Sequence, residues 1–546
     1  RVRKKVVKYE RRKQIPERRR MMTSANDTAR MGGLPHWEPA DVLGKMTLSD
    51  LLFSLDYRHI AIKGILTSIV MLGLGGLMAM LFRTELAVPD IQFFDARPYM
   101  SLMTLHGMLM VFGFVIPFVV NLMYYMMPKV LGTDRLIFAR GAQWSYWLLI
   151  VAALLLVISR PDFTWTFYPP MSLRVGGELI WMGYLAIVLV AISEFLAGCV
   201  VIANGWSAAK RIGWSKLPLM GWAAISEGLL LTISTPALAF VGGALMTDWL
   251  GTTALFDPAR GGDIPTFMFL FWFYGHPAVY LPLMPAIAVL YTLMPRFLGR
   301  PIWSYWSGVT AFAILTVLSF VVYPHHFQPA NTVSGLLERT TQILTMLIFI
   351  PSTLHVFNWI ATLWYDDIPI SAKRAIPFKF IIAAIFFLIL GGVTAYLNAQ
   401  IAVNADFVHN TYFVPAHFHA MFVGFMGNMA MAGVYYLYPY FTGRMFSQRM
   451  GNLHFWLWQV GILGKVMMMY YLGFVYFPRW VVDYLPLPQW AIPQLMLTGA
   501  AYLIGLGFIV FVFNIMWSST RGRTVQGDPW PIEMADTPAA AAAPAE

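Results

Sequence analysis

Six of the eleven histidines lie inside or at the ends of long apolar segments. Imidazole is the commonest metal ligand in proteins, and an ionisable side chain is costly in an apolar interior unless it is bound or hydrogen-bonded. These six histidines occur in the short motifs TLHG, HPAVY, HHFQP and HFH, and they are His106, His276, His325, His326, His417 and His419. Their types and spacing therefore predict metal centres within a hydrophobic protein interior.

The HFH pair predicts two separate centres. Residues two positions apart on an α-helix point about 200° apart, so His417 and His419 cannot bind one metal from the same face. Each can instead bind a haem on its own side of the helix. His106, in an earlier apolar segment, can complete an axial pair with His419, which makes that iron six-coordinate and suited to electron transfer alone. The iron bound by His417 then keeps an open position.

The segment WFYGHPAVY predicts a third centre. His276 and Tyr280 are four residues apart and share a helical face, and Pro277 bends the helix there. His325 and His326 stand at the end of the next apolar segment. Three imidazoles with an open position suit copper. By itself HHFQP is also compatible with a polar loop, but together with HPAVY it favours a copper site.

These motifs need a membrane scaffold. The 546 residues are 58% hydrophobic and 12% charged, whereas a soluble chain has about 25% charged residues. A helix needs about 20 mostly apolar residues to cross a bilayer. Segments of this kind lie at about 59–82, 97–127, 141–159, 176–203, 218–247, 264–295, 303–322, 335–364, 376–398, 409–440, 453–477 and 490–518. The sequence predicts an all-α, polytopic membrane protein with twelve transmembrane helices.

Charge predicts the orientation and the domain organisation. Short loops on the side of the two tails carry about twice as many Lys and Arg residues as the opposite loops, so both termini are expected in the cytoplasm. The net charge of +11 therefore indicates orientation in a bilayer rather than nucleic-acid binding. We predict a basic N-terminal tail at 1–50, a twelve-helix core at 51–520 and a disordered C-terminal tail at 521–546.

The motifs TLHG, HPAVY, HHFQP and HNTYFVPAHFH, in this order across twelve spans, resemble subunit I of the haem–copper oxygen reductases. The resemblance extends over about residues 55–480. It implies that His106 and His419 bind a low-spin haem and that His417 binds a high-spin haem. It also implies that the three ligands of a copper ion, copper B, are His276, His325 and His326.

The resemblance gives roles to three further residues. Tyr280 matches the family's tyrosine that is joined covalently to the first copper histidine and supplies an electron and a proton when O2 is cleaved. Arg479 matches an arginine that neutralises haem propionates, while Trp480 stands where a second arginine is usual. His409 matches an outer-side histidine near a magnesium site, but Asn410 replaces the usual aspartate, which argues against magnesium there.

Proton entry is expected along a path unlike that of the mitochondrial-type branch. Ala278 replaces that branch's HPEV glutamate, and Asp134 lies one position from its entry aspartate. Tyr291, Ser352 and His355 instead predict a single path, similar to that of the divergent B-type branch. The alternative is that these side chains only form hydrogen bonds that stabilise helix packing. Three intramembrane acids have no predicted role, namely Glu178, Glu194 and Glu227.

The resemblance implies a proton-translocating oxidase of a prokaryotic inner membrane that reduces O2 to water. Its cofactors would be copper B and two haems, of a-type or alternatively b- or o-type. Ser101 stands where quinol-oxidising relatives have glutamine, which favours cytochrome c or a small copper protein as donor over a quinol. The single cysteine, Cys199, cannot form a binuclear copper site, so subunit II is expected to carry it beside other small membrane subunits.

Two further functions are disfavoured by the motifs. A nitric oxide reductase would have iron in place of copper and would lack the HPxVY tyrosine, so Tyr280 argues against it. A non-redox transporter would have no reason to place HFH and HHFQP at the ends of apolar spans.

Overall fold

The computed structural model describes residues 39–330 and 335–532, excluding the side chains of 328–330, 405 and 406. Most of the predicted N-terminal tail and residues 533–546 of the predicted C-terminal tail lie outside the described residues. Within the described ranges the chain is helical, and extended segments form only isolated bridges, such as the one between Arg444 and Thr524.

The prediction of an all-helical polytopic membrane protein is confirmed. Among the described residues, eleven helices are long and apolar enough to cross a membrane. We number the long helices α1 Tyr57–Glu85, α2 Ala96–Leu131, α3 Ala139–Ser159, α4 Ile180–Ile212, α5 Leu219–Trp249, α6 Ile264–Leu298, α7 Tyr305–Phe327, α8 Gly335–Trp364, α9 Ile376–Ala399, α10 Phe413–Thr442, α11 Gln448–Phe474 and α12 Pro488–Arg521.

Helix α11 is the one of these twelve that is not among the eleven, and it carries polar side chains such as His454, Gln459 and Lys465. It has 27 residues, so it is about 40 Å long and sufficient to span a bilayer. It packs against α12. We therefore count it with the other spans.

Helices α2, α6 and α10 form the centre of the bundle. The most apolar window of α6 is 94% buried and that of α10 is 83% buried, compared with 22% for α8. The histidines of TLHG, HPAVY and HFH all lie on these three helices. The fold therefore places the predicted ligands in its interior, shielded from lipid by the outer helices.

The three central helices end in the same way. Each has a proline four residues before a terminal glycine: Pro128 and Gly132 in α2, Pro295 and Gly299 in α6, and Pro439 and Gly443 in α10. The glycines have φ of 70°, 64° and 66°, a left-handed conformation that favours glycine because it has no Cβ. These stops fix where each central helix ends.

The described part of the C-terminal segment packs on this end of the bundle. Trp530 is buried, and its indole donates a hydrogen bond of 3.1 Å to the carbonyl of Tyr436. Arg296 forms an ion pair with Asp528. This segment is therefore anchored to the helix bundle by Trp530 and Asp528.

Helices α4 and α5 pack closely because glycines face each other. A Cβ added to Gly228 would lie 2.9 Å from the backbone N of Ile202 and 3.0 Å from the carbonyl of Gly198. A Cβ on Gly243, in the same helix, would have no atom within 4 Å. Gly228 therefore permits a backbone approach that no other residue allows, and Gly243 serves as its matched control.

We predict that Gly228→Ala destabilises the protein by about 1–3 kcal/mol, since the backbone of α4 must move away. Gly243→Ala should be neutral or stabilising by up to about 1 kcal/mol. The thermal midpoint of the purified complex measures both effects. Equal midpoints for the two variants would contradict this account of the α4–α5 contact.

Candidate functional site

Three imidazoles from two helices converge at one point. His276 lies at a break in α6, between the α-helical segments Ile264–Gly275 and Pro277–Tyr280. His325 and His326 lie in the 3₁₀ segment Tyr323–Ala330, which includes the end of α7. One ring nitrogen from each of the three lies within 4.8 Å of the others. This grouping could hold a metal ion.

Neighbouring side chains hold two of these rings in place. The indole of Trp272 stacks on His326, with ring centroids 3.5 Å apart and planes at 7°. Nδ1 of His325 lies 2.9 Å from the hydroxyl of Thr345, which itself donates to the carbonyl of Thr341. The hydroxyl proton is therefore used, so Nδ1 of His325 must be the donor. That tautomer leaves Nε2 free to bind a metal.

His276 fits the same interpretation. Its Nδ1 lies 3.3 Å from Nε2 of His326, so two potential ligand atoms face each other. Its Nε2 is buried and has no hydrogen-bond partner among the described residues. Three neutral imidazoles of this kind are ligands suited to copper. The donor set thus agrees with the expected copper.

Tyr280 lies one helical turn beyond His276. The two ring centroids are 5.1 Å apart and the planes are inclined at 68°. The tyrosine is buried, with 8% of its surface exposed. The structure thus places this phenol directly beside the group of three imidazoles.

His106 and His419, the two histidines predicted to share a haem, are also held in place by hydrogen bonds through Nδ1. Nδ1 of His106, in α2, lies 2.8 Å from the carbonyl of Gly75. Nδ1 of His419, in α10, lies 2.7 Å from the carbonyl of Pro415. A carbonyl only accepts, so each Nδ1 carries the proton and each Nε2 offers a lone pair. Backbone carbonyls orient metal-binding histidines in this way.

Both of these helices widen just beyond their histidine. Leu109–Val115 in α2 and Ala420–Gly427 in α10 are π-helical, and these two segments contact each other. π-Helical turns are frequent at functional sites because the extra residue redirects the side chains. The sequence analysis did not predict them. The contact brings the helices that carry His106 and His419 together.

His417 has a different environment from His419. Its Nδ1 lies 3.4 Å from the hydroxyl of Thr394 in α9, and this hydroxyl is 2.5 Å from that of Tyr470 in α11. The two histidines of HFH therefore use separate supporting groups, as expected for residues that point to opposite sides of one helix.

Arg479 and His409 lie together outside the membrane-spanning helices. The backbone N–H of Arg479 donates a hydrogen bond of 3.1 Å to the carbonyl of Asn410, while its buried Nε has no partner among the described residues. A guanidinium with an unused donor fits a carboxylate ligand. Burial, together with the charge of Arg479, lowers the pKa of His409 to about 3, so this imidazole is neutral at physiological pH.

Two of the three residues predicted for proton entry are in contact. The hydroxyl of Tyr291 lies 2.9 Å from Nδ1 of His355 and accepts a hydrogen bond of 3.2 Å from Asn358. Ser352 lies one turn from His355 and is half-buried. In the part of the chain that the structure describes, its hydroxyl forms no hydrogen bond with Tyr291 or His355.

The sequence analysis missed several supporting residues. Asn358 also accepts from the backbone N–H of Ser304, which ties α8 to the start of α7. Trp272 and Thr345 orient two of the three converging imidazoles. The i,i+3 spacing of His355 and Asn358 could have indicated Asn358. Thr345 lies in the first half of α8, where the sequence has no motif, so only the tertiary structure identifies it.

We predict that Thr345→Val lowers copper affinity about 10–100-fold, because supporting hydrogen bonds to metal-binding histidines typically have this effect. Thr341→Val is the matched control, since the Thr341 hydroxyl bonds only within its own helix, to the carbonyl of Leu337. Copper content after dialysis against a chelator measures the effect. An equal loss of copper in both variants would refute the role of Thr345.

A family model described as "Cytochrome C and Quinol oxidase polypeptide I" matches residues 59–519. Among curated proteins, a cytochrome c oxidase subunit 1 from Synechocystis sp. is 32% identical, over 88% of this chain and 86% of that relative. A "Heme-copper oxidase subunit I+III" from Aeropyrum pernix is also 32% identical, over 87% of this chain and 58% of that longer protein.

A solved structure of a heme-copper terminal oxidase dimer has the same fold. The TM-score is 0.76, and the alignment covers 88% of this chain and 87% of that one at 21% identity. At this identity the likeness is evidence for the fold alone. The family match and the relatives carry the evidence for function.

Proposed function

Because this chain belongs to the haem–copper oxidase subunit I family, we propose that the histidines described above are its cofactor ligands. The chain is the catalytic subunit of a terminal oxidase that reduces O2 and is a multi-pass membrane oxidoreductase. We propose roles for individual residues in binding the cofactors and in moving protons. The observation that carries it is the convergence of three imidazole nitrogens within 4.8 Å.

Copper is assigned to the three converging imidazoles. His276 would bind it through Nδ1, since this atom faces His326, while His325 would use the Nε2 that its bond to Thr345 leaves free. When bound, copper and the neighbouring haem iron supply the electron transfer and the O2 binding on which reduction depends. Tyr280, beside His276, is proposed as the residue that provides a proton, and an electron, at this site.

The haems are assigned from the orientation of the ring nitrogens. We assign the low-spin haem to His106 and His419, whose Nδ1 atoms both bond to carbonyls. His417 is assigned to the high-spin haem, and Arg479, with its unused Nε, to a propionate. His409 remains a proposed outer-side group, without a magnesium ion. The haems are proposed as a-type, with b- or o-type as the alternatives.

Electron supply is proposed to come from a soluble donor. Ser101 in place of a glutamine favours cytochrome c or a small copper protein over a quinol. The protein is part of a haem–copper oxidase complex. In it we propose a subunit II with a binuclear copper site, because the single cysteine here, Cys199, cannot form one. Other small membrane subunits are proposed as well, and the printed name of the A. pernix relative joins subunit I to a subunit III.

Orientation and branch are proposed from the sequence. The distribution of Lys and Arg supports cytoplasmic termini in a prokaryotic inner membrane, with protons taken from inside and some translocated outward.

Ala278 in place of glutamate supports the B-type branch with a single proton path. Tyr291 and His355 would form this path, because their direct contact can pass a proton between a phenol and an imidazole.

The central test is optical. A reduced-minus-oxidised spectrum of the purified complex should show two haems, only one of which binds carbon monoxide, and copper analysis should find copper B. His419→Ala should remove the low-spin haem signal. His326→Ala should retain both haems and lose copper. A normal low-spin spectrum in His419→Ala, or haem without copper in the unmodified protein, would overturn the assignment.

We predict that His355→Leu slows proton uptake at least tenfold, because the apolar side chain cannot exchange a proton with Tyr291. His454→Leu is the control, since this buried imidazole also bonds a tyrosine hydroxyl, that of Tyr435, at 3.0 Å. Proton uptake by the reduced enzyme after mixing with O2 can be followed with a pH-sensitive dye. If His355→Leu takes up protons at the unmodified rate, the residue has no part in the path.

A further inference from the structure

One buried carboxyl group, that of Glu194, has a hydrogen-bond partner for only one of its two oxygens. Glu194 lies in the middle of α4 and is 6% exposed. The hydroxyl of Tyr274 in α6 donates a hydrogen bond of 2.7 Å to its Oε2. Its Oε1 is buried and has no partner among the described residues. A carboxyl group with an unused oxygen is costly at membrane depth, and such residues commonly mark proton pathways.

Glu194 lines a cavity whose walls are in large part apolar. We call it the polar cavity after six of its wall residues, Thr67, Asn121, Ser145, Tyr146, Ser193 and Glu194. The space in which the centre of a water molecule can lie has a volume of about 40 Å³. One water molecule needs roughly 10–15 Å³ of such space. Its walls supply several donors and acceptors, so the space fits two or three waters. Glu194 forms part of this wall, so water there would lie beside its side chain.

Hydroxyl groups continue along the wall of the polar cavity. The Ser193 hydroxyl is 3.2 Å from that of Ser145 and donates to the Ser145 carbonyl at 2.6 Å. The Thr67 hydroxyl is 3.1 Å from that of Tyr146. Hydroxyls both donate and accept, so these pairs and the enclosed waters can form a hydrogen-bonded chain.

The polar groups extend from the polar cavity toward one end of the bundle. Lys63, near the start of α1, donates to Gln143 at 2.6 Å and to the carbonyl of Leu51 at 3.1 Å. Gln143 lies near the start of α3 and also donates to the carbonyl of Leu52. Leu51 and Leu52 precede α1. This end of the bundle is the one proposed to face the cytoplasm.

The hydrogen-bond partner of Glu194 lies on the helix that carries the first residue of the proposed copper site. This partner, Tyr274, is 1% exposed and lies two residues before His276 on α6. The phenol therefore connects the carboxyl group with the helix that carries the first copper ligand.

We propose that Glu194 is a proton-transfer site, which takes protons from water in the polar cavity and passes them toward the O2-reducing end of α6. A proton binds at Oε1 and makes a neutral carboxylic acid. Its release restores the carboxylate, and no electron moves. Tyr274 holds the other oxygen and so keeps the side chain between the two regions. The inference rests on the proposed copper site only for the destination of the proton.

Glu227 provides a matched control. It is fully buried in α5, and neither of its oxygens has a partner among the described residues. It does not line the polar cavity. The two carboxyl groups are close enough to interact electrostatically, so the comparison separates the position on the cavity wall from the general effect of altering a buried carboxyl group in this region.

The experiment uses the purified complex and its Glu194→Gln, Glu194→Asp and Glu227→Gln variants. The fully reduced enzyme is mixed with O2, which needs no physiological electron donor. Proton uptake is followed with a pH-sensitive dye, and haem oxidation with absorbance, in H2O and D2O. Haem and copper content and carbon monoxide binding report separately on the proposed cofactor site.

We expect Glu194→Gln to slow proton uptake at least tenfold while cofactor content and carbon monoxide binding stay unchanged. Glu194→Asp should restore most of the rate, since water can span the shorter side chain. Glu227→Gln should stay within about twofold of the unmodified rate. Uptake by Glu194→Gln at the unmodified rate, or equal slowing by both glutamines, would overturn the proposal.

If Glu194→Gln fails to assemble, Ser145→Val decides the matter, because it replaces a wall hydroxyl and fills space in the polar cavity. Slowed uptake with intact cofactors supports the proposal, and unmodified uptake refutes it. The inference adds a second proton route to the one proposed through Tyr291 and His355. Slowing in both Glu194→Gln and His355→Leu would show that the single path predicted from the sequence is incomplete.

Discussion

The cost of an unbonded imidazole in an apolar interior is the constraint on which this structure depends. An unsatisfied polar group buried away from water loses several kcal/mol, roughly 2–7 depending on the reference. Here the Nδ1 atoms of His106 and His419 meet backbone carbonyls, and that of His325 meets a threonine hydroxyl. One nitrogen of each ring is thereby satisfied. The other nitrogen keeps its lone pair, as the proposed ligand roles require.

The same constraint shapes the backbone around the site. α6 is interrupted at His276 and Pro277, and α2 and α10 become π-helical just after His106 and His419. Irregular backbone at membrane depth is tolerated only where protein or a cavity covers it. The central position of these helices provides that cover. Irregularity and burial are therefore found on the same three helices.

The buried acids follow a related rule but have a different outcome. Glu194 has one oxygen bonded to Tyr274 and forms part of the wall of the polar cavity, whereas Glu227 does neither. A carboxyl group that can reach water can change its protonation state without being stranded as a buried charge. Position relative to the polar cavity therefore distinguishes two acids that look alike in the sequence.

The sequence by itself determined the membrane class, the number of spans to within one, and the family. Hydropathy depends on composition over about 20 residues, and the motifs HPAVY and HFH are local. The tertiary structure alone decided which groups orient the imidazoles, because Thr345 and Trp272 reach His325 and His326 across helix contacts. It also decided that Tyr274 and Glu194 meet, although 80 positions separate them. Such contacts depend on how the helices pack, and helix packing is determined jointly by segments that lie far apart in the sequence.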